Sequence, residues 1–554
     1  MSKLITGGEA VYRVLRDQGV GTVFGLLGGS MLELYDAMLA GGEIAYVGAR
    51  DERAAGHMAD AYARMTGGPG IVLGAQAGPG VVNLATAVAE AQLAYSPLVA
   101  IAGAISRPDL GKDTFQEVDQ VALFAPIAKK SVMVTEPSRL PDMLRDAMRL
   151  AMSGRRGAVV LHVPRDLMAA EIEAPAPGPV KIAKAGPPAA DDIAAIKALI
   201  AGARRPVIFA GGGFKWSEGA ADLRALAEAL EIPVVASTGH ADVMPEGHPL
   251  FAGQGGPRGN AAASGLTRDA DLILALGARL AFNSTFFSNQ YISADAKIVQ
   301  VDIEGAAIGR YFPVEVAVQA DAREAARALL DAPKGDWSDW LTRFRADMAA
   351  LAEERAAEAA MDAAPMHPRR ALAEIRAALP EDAIVTLDTG NACLQAADRL
   401  AHYQTPGLIT PLDFGLVGFG YAAALGAQAA APDRPVISVM GDGGFGFTMA
   451  EIMSAVAHDL PVVAIVLDNG AWGAEKAYQM EFFGGRLLGA EIASPAYDEV
   501  AKLCGALGFA VTKPEEIAPA MAEALAAKRP AVIHVKIDPK ALNTLRKDLF
   551  KTGK

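Results

Sequence analysis

Apolar and polar positions along this chain follow two alternating rhythms. Nearly continuous apolar runs at residues 22–27, 71–74, 98–102 and 158–163 read as strands buried on both faces. The mixed segments 31–40 and 81–94 between them read as helices. The same alternation returns at 206–210, 233–236, 272–276 and 297–302, and again at 384–387, 436–440, 462–467 and 531–537. Strands alternating with helices predict parallel sheets covered by helices. Two stretches break the rhythm. Residues 173–188 hold five prolines and no periodicity, so they read as a linker. Residues 336–363 are rich in alanine and charge and read as a long helix, followed by a boundary at 364–368. The expected fold is α/β with three parallel-sheet domains, at 1–172, 190–335 and 368–554.

Composition narrows the function. The 554 residues carry a net charge of −13 and no basic block, which argues against nucleic acid and anionic membrane surfaces as partners. Cys393 and Cys504 are the two cysteines, too few for a disulfide framework and in keeping with a reducing cytosol. Glu9, Arg13, Arg16 and Asp17 interrupt any apolar leader, and no stretch gives about 18 apolar residues free of charge. A cytoplasmic protein is expected. The 57 glycines suit many tight turns and close backbone approaches.

The strongest chemical signal is Gly441-Asp442-Gly443-Gly444, followed 24 residues past its end by Asp468-Asn469-Gly470. Each element ends an apolar strand, so both project from carboxyl ends, where open α/β sheets place ligands. Asp442 offers a carboxylate and Asn469 a side-chain oxygen, hard ligands suited to Mg²⁺ or Ca²⁺ when phosphate oxygens complete the shell. Gly443 and Gly444 let backbone N–H groups approach those phosphates.

The spacing resembles the motif of thiamine diphosphate enzymes, GDG followed by twenty-odd residues and two asparagines; here Asp468 stands for the first asparagine. Other segments carry the resemblance over nearly the whole chain, in the family's order. Arg50-Asp51-Glu52-Arg53 through Arg64 resembles the segment with the catalytic glutamate of acetolactate-synthase-like enzymes, with Asp51 where the family has histidine. Gly78-Pro79-Gly80-Val81-Val82-Asn83, Phe115-Gln116-Glu117, Asp388-Thr389-Gly390-Asn391 and the loop 415–420 match further family segments. The resemblance implies pyrimidine-binding, central and diphosphate-binding domains, with thiamine diphosphate and Mg²⁺ as cofactors. It places the metal on Asp442, Asn469 and the backbone carbonyl of Ala471, and the cofactor against Gly28, Gly390, Asn391, Gly441, Gly443, Gly444 and Asn469. Glu52 would hydrogen-bond the pyrimidine N1′ and favour its imino tautomer, and Gln116 would lie near the substrate; both are the catalytic candidates. Val417, or Leu416 if the loop is shifted by one, would support the bent cofactor. The family arrangement further implies a homodimer or homotetramer, with Glu52 from one subunit and Asp442 and Asn469 from another.

Within the superfamily, Trp472-Gly473-Ala474-Glu475-Lys476, then Gln479, Phe482, Arg486 and Gly489-Ala490-Glu491, are most similar in pattern to sulfoacetaldehyde acetyltransferases, as is Gln76. The implied reaction converts sulfoacetaldehyde and phosphate to acetyl phosphate and sulfite. The loop Phe414-Gly415-Leu416-Val417-Gly418-Phe419-Gly420 departs from that pattern, which keeps an acetolactate synthase-like 2-oxoacid decarboxylase or carboligase as the alternative. An aldehyde or 2-oxoacid is the expected substrate, with phosphate as an acceptor. Lys476 and Arg486 are cationic candidates for a sulfonate or phosphate, set against a plain solvated helix face. The run Ala210-Gly211-Gly212-Gly213 lacks a dinucleotide fingerprint, which disfavours a nicotinamide oxidoreductase. The central domain binds FAD in some relatives, but the acetyltransferases do not need it, so it is not among the expected cofactors.

Overall fold

The computed structural model of the chain describes residues 4–544. It holds three six-stranded sheets in which every neighbouring pair is parallel. Chain contacts divide these into two compact units.

The first unit comprises Met1–Lys184, Asp413–Asp433 and Phe447–Val462. Its sheet runs, edge to edge, Ala45–Gly48, Thr22–Leu26, Gly70–Gly74, Leu98–Ala104, Val159–Pro164 and Lys130–Met133. Numbered by chain position the order is 2-1-3-4-6-5. It reverses between Thr22–Leu26 and Gly70–Gly74, which opens a crevice beyond their carboxyl ends. A two-stranded antiparallel pair, Leu4–Thr6 with Glu171–Glu173, joins the ends of the segment. The expected helix 81–94 is two helices, Pro79–Asn83 and Ala85–Leu93.

The helix Glu52–Thr66 crosses this unit. Asp51 caps it: its backbone is extended and its side chain accepts from Arg53 N–H. Gly67, at φ 71, ends it in the left-handed conformation that glycine adopts without steric cost. It packs directly on Gly420–Ala430, a helix of mostly alanine and glycine. A Cβ on Gly426 would sit 1.9 Å from the Met58 carbonyl oxygen, so the two backbones touch only because that position is glycine. At one end of this seam Phe419 is buried between Arg64, 5.3 Å over its ring, and His57, edge-on at 5.2 Å. Burial pushes His57 down to about 3, so it is a neutral core residue at neutral pH. Arg64 lies between Asp60 and Glu90. Burial outweighs the guanidinium and raises Glu90 to about 8, while Arg64 donates to both oxygens of Asp60.

The second unit comprises Ala185–Leu412, Arg434–Gly446 and Val463–Lys554 and contains two sheets. The first runs Phe251–Gln254, Val234–Ala236, Pro206–Ala210, Leu272–Leu276, Lys297–Asp302, Val316–Gln319, an order of 3-2-1-4-5-6. The second runs Leu408–Ile409, Ile384–Leu387, Val436–Gly441, Val463–Asp468, Ala531–Lys536, Leu507–Val511. Its order is again 2-1-3-4-6-5, so this sheet and that of the first unit share one topology, a kinship not visible in the sequence. The long helix is Ser338–Ala359. Near its end the buried Glu358 accepts from Arg355, Arg369 and Arg399, which ties that helix to the helix Asn391–Arg399. Among the described residues no helix is long and apolar enough to cross a membrane.

Candidate functional site

In the second unit, the sheet order reverses between Ile384–Leu387 and Val436–Gly441. The turn after the first of these strands carries Gly390, Asp442 opens the helix Asp442–Thr448 directly after the second, and Asn469 follows the next strand, Val463–Asp468. The two sequence motifs therefore meet at a crevice of the kind that holds ligands in open sheets. Asp442 is 1% exposed. Burial pushes its carboxyl up to about 6, against the Ser494 hydroxyl, which donates to it at 2.6 Å. The Tyr497 hydroxyl fixes the backbone by donating to the Asp442 carbonyl at 2.8 Å. Among the described residues Asp442 has no ion pair. A buried carboxylate with a raised affinity for its proton and no cationic partner is a group that a divalent cation would relieve.

Asp468, the departure from the motif, faces away from that role. Its carboxylate accepts from Gly470 N–H at 2.8 Å and from Lys536, and pairs with His534 at 2.7 Å. Burial alone would raise it, but these partners hold it far below the usual carboxylate range. The charge introduced by Asp468 is thus answered within the fold. Asn469 Oδ1 accepts from Ala471 N–H at 3.2 Å, which folds the turn so that Ala471 bridges Glu491. Among the described residues no three His, Cys, Asp or Glu side chains converge on a metal site. The set Asp442, Asn469 and the Ala471 carbonyl has one free carboxylate and oxygen donors, which fits a hard cation bound together with phosphate oxygens rather than a cation held by protein alone.

The glycines divide by role. A Cβ on Gly441 or Gly390 would meet nothing within 4 Å, so these face open space. A Cβ on Gly443 would sit 2.5 Å from the Trp472 ring and one on Gly444 2.3 Å from an Asp388 carboxylate oxygen, so close packing requires both. Thr389 Oγ1, in the same loop as Gly390, is buried and has no hydrogen-bond partner among the described residues, a polar atom that a bound phosphate would satisfy. The Asn391 amide is engaged by the chain itself: it donates to the Asn543 carbonyl at 2.6 Å and accepts from Asn543 N–H at 3.0 Å. Lys476 pairs with Glu491 at 3.1 Å, whereas Arg486 is exposed and has no ion pair among the described residues.

The first unit positions Glu52. It is the first residue of its helix and 5% exposed. Asn83 Nδ2 donates to one of its oxygens at 3.0 Å. The other lies 2.7 Å from where a Cβ on Gly80 would be, so Gly80 is the residue that lets the carboxylate approach. The turn before Glu52 is pinned by residues that no local signal marks. Gly48 N–H donates to His458 Nε2 at 2.8 Å, and Arg50 N–H donates to Glu451 at 3.0 Å. Gln116 meets Gln76, and Gly28 packs on the backbone of residues 75–76. Val417 is half-buried in a turn between Gly415, φ 82, and Gly418, φ 86, both left-handed positions that favour glycine.

Glu451 gives a pH test of this support. Burial pushes its carboxyl up to about 6, against hydrogen bonds from Ser454 and Arg50 N–H. The folded state therefore holds this proton more tightly than the unfolded chain does. The associated stability is fully present below about pH 4.3 and is lost as pH rises through about 6. Glu451→Gln, which carries no charge, should match the parent near pH 4.5 and be more stable above pH 7, by up to about 2 kcal/mol. Thermal melts of both proteins across this range check it; a difference independent of pH contradicts the assignment.

Three family matches cover most of the chain. Residues 5–123 match the thiamine pyrophosphate enzyme N-terminal TPP binding domain, 193–329 the central domain, and 388–535 the C-terminal TPP binding domain. Curated relatives align along nearly the full length. The acetolactate synthase large subunit of Corynebacterium glutamicum is 32% identical over 547 residues, covering 96% of this chain and 86% of the relative. The sulfoacetaldehyde acetyltransferase of Castellaniella defragrans is 32% identical over 548 residues, covering 95% and 91%. That of Alcaligenes xylosoxydans xylosoxydans is 33% identical over 553 residues, covering 94% and 90%.

Proposed function

The chain belongs to the thiamine pyrophosphate enzyme family, and on that premise we propose that it is a Mg²⁺- and thiamine diphosphate-dependent acyltransferase of the sulfoacetaldehyde acetyltransferase type. The observation that carries this reading is the segment 471–491. Its Trp472–Lys476 run and its Gly489-Ala490-Glu491 end, the pattern most similar to the acetyltransferases, close on each other. Trp472 N–H donates to the Ala490 carbonyl at 2.8 Å and Lys476 pairs with Glu491, directly after Asn469. The second reading, an acetolactate synthase-like carboligase acting on a 2-oxoacid, is favoured by equal identity to a synthase and by the loop 414–420.

When bound, thiamine diphosphate supplies a carbon nucleophile for a carbonyl substrate and a sink for the electrons of the bond that breaks. The residues of this chain bind and orient it. Asp442, Asn469 and the Ala471 carbonyl would hold Mg²⁺, whose charge would draw the diphosphate. Gly390, Gly441 and the buried Thr389 hydroxyl leave room and a hydrogen bond for phosphate oxygens. Gly443 and Gly444 shape the wall, Asn391 docks the segment at Asn543 beside it, and Gly28 closes the loop at the first unit's crevice. Glu52 would hold a proton at the pyrimidine N1′, and Val417 would pack against the cofactor. The functional form is a homodimer or homotetramer acting in the cytoplasm on a small aldehyde or 2-oxoacid, with phosphate as acceptor.

In balance, sulfoacetaldehyde and hydrogen phosphate give acetyl phosphate and hydrogen sulfite. With sulfoacetaldehyde, the protein should release sulfite and form acetyl phosphate, seen by phosphorus NMR, at a rate that rises with phosphate. Acetolactate and CO₂ from pyruvate, with no acetyl phosphate from sulfoacetaldehyde, would instead establish the carboligase.

A further inference from the structure

The crevice of the first unit lies beyond Thr22–Leu26 and Gly70–Gly74, and the two loops that leave these strands are zipped together. Ser30 N–H donates to the Ala75 carbonyl at 3.2 Å, and Ala77 N–H donates to Ser30 Oγ at 3.3 Å. A Cβ on Gly28 would sit 2.5 Å from Gln76 N, so only glycine fits between them. Across this seam runs a relay of amides. Gly29 N–H donates to Gln76 Oε1 at 3.0 Å, and Gln76 Nε2 donates to Gln116 Oε1 at 2.6 Å.

The polarity of the relay is forced. A backbone N–H can only donate, so Gln76 must turn its oxygen to Gly29 and its nitrogen to the other side. Gln116 must then meet that nitrogen with its own oxygen. Its amide nitrogen is left pointing elsewhere, and among the described residues it makes no hydrogen bond. Gln116 is itself held in a strained backbone conformation at φ 69. Its carbonyl oxygen would lie 2.6 Å from a Cβ on Gly78, which is left-handed too, at φ 70. The relay borders the carboxylate of Glu52, because a Cβ on Gly80 would meet Glu52 Oε1 at 2.7 Å and Gln76 Cβ at 3.0 Å.

We propose that Gln76 is a positioning residue that sets substrate specificity: anchored by Gly29 N–H, it locks Gln116 with its NH₂ as a donor for the anionic head group, carboxylate or sulfonate, of the carbonyl substrate. This inference rests on the function proposed above. It adds that selection for an anion comes from a neutral amide whose orientation is fixed two bonds away, with no cation required. A freely rotating amide would present oxygen as readily as nitrogen and lose the preference.

The test is the binding of two ketone probes to the cofactor-loaded enzyme by calorimetry: monomethyl acetylphosphonate, an anion, and its uncharged dimethyl ester. The parent should prefer the anion by about tenfold or more, the value of a hydrogen bond to a charged group. Gln76→Met should abolish most of that preference while thiamine diphosphate affinity stays within about threefold of the parent. Gln76→Asn, which keeps the amide but is too short to span both partners, gives the same reading if the Met variant does not fold. Gln116→Leu should lose the preference equally, and the double variant should lose no more, since the two act as one unit. An anion preference kept by the Gln76 variants, or losses that add in the double variant, overturns the relay. A parent without anion preference overturns it as well. The parent's affinity for thiamine diphosphate, read in a separate titration of the cofactor-free protein, decides whether the proposed function stands.

Discussion

Glu52→Gln should bind thiamine diphosphate nearly as well as the parent and turn over roughly 10²–10⁴-fold more slowly. The substitution preserves shape, and the oxygen that remains can still accept from Asn83 Nδ2. The cap at Asp51 and the pins at Glu451 and His458 do not involve the changed atoms, so the turn and helix keep their place. What disappears is a group able to hold and return a proton in a pocket where Glu52 is 5% exposed and has no ion pair among the described residues. The cost therefore falls on the chemical step and not on assembly. Single-turnover kinetics alongside a cofactor titration separate the two. A variant within about threefold of parental turnover would remove Glu52 from the proton-holding role.

How much of the fold was legible depended on where each strand lies in its sheet. All twelve interior strands, from Thr22–Leu26 to Ala531–Lys536, show as apolar runs because parallel strands between neighbours are buried on both faces. The six edge strands were silent. Ala45–Gly48, Lys130–Met133, Val316–Gln319 and Leu507–Val511 are partly exposed, so their pattern is mixed. Phe251–Gln254 and Leu408–Ile409 are mostly buried but too short for a period to show. The antiparallel pair of Leu4–Thr6 with Glu171–Glu173 joins segments far apart in sequence, and no local rule announces it.

The site divides in the same way. Asp442, Asn469 and Glu52 were legible because each ends a strand or begins a helix in a spaced motif. Their supports were not. Ser494 reaches Asp442 from 52 positions away, and Glu451 reaches Arg50 from 401. Such partners are chosen by the sheet order, which brings distant loops to one edge. Asp468 shows the converse. In sequence it is a departure within the motif; in space its charge points to the next strand, where Lys536 stands opposite it and His534 two positions earlier.

That placement makes the outcome of Asp442→Ala severe. Three carboxylates lie at this crevice. Asp468 is engaged by His534, Lys536 and Gly470 N–H and cannot turn to a cation without leaving all three. Asp388 is buried, accepts from Thr389 N–H at 2.8 Å and packs on Gly444. Asp442 is the charged member of the proposed ligand set, and its removal leaves Asn469 and the Ala471 carbonyl, both neutral. A hard divalent cation gains most of its binding energy from charge, and the diphosphate is drawn to the site by the cation. Loss of an outer-shell partner alone costs about 10–100-fold in metal affinity, so loss of this ligand should exceed about 100-fold. The Ser494 hydroxyl would lose its acceptor, while Tyr497 would keep its bond to the backbone carbonyl, so the loop should hold its shape. Mg²⁺-dependent thiamine diphosphate binding, followed by calorimetry, should vanish at cofactor concentrations that saturate the parent, and raising Mg²⁺ and cofactor tenfold should recover little. Full rescue at millimolar cofactor would show that the metal is held elsewhere and that Asp442 is peripheral to it.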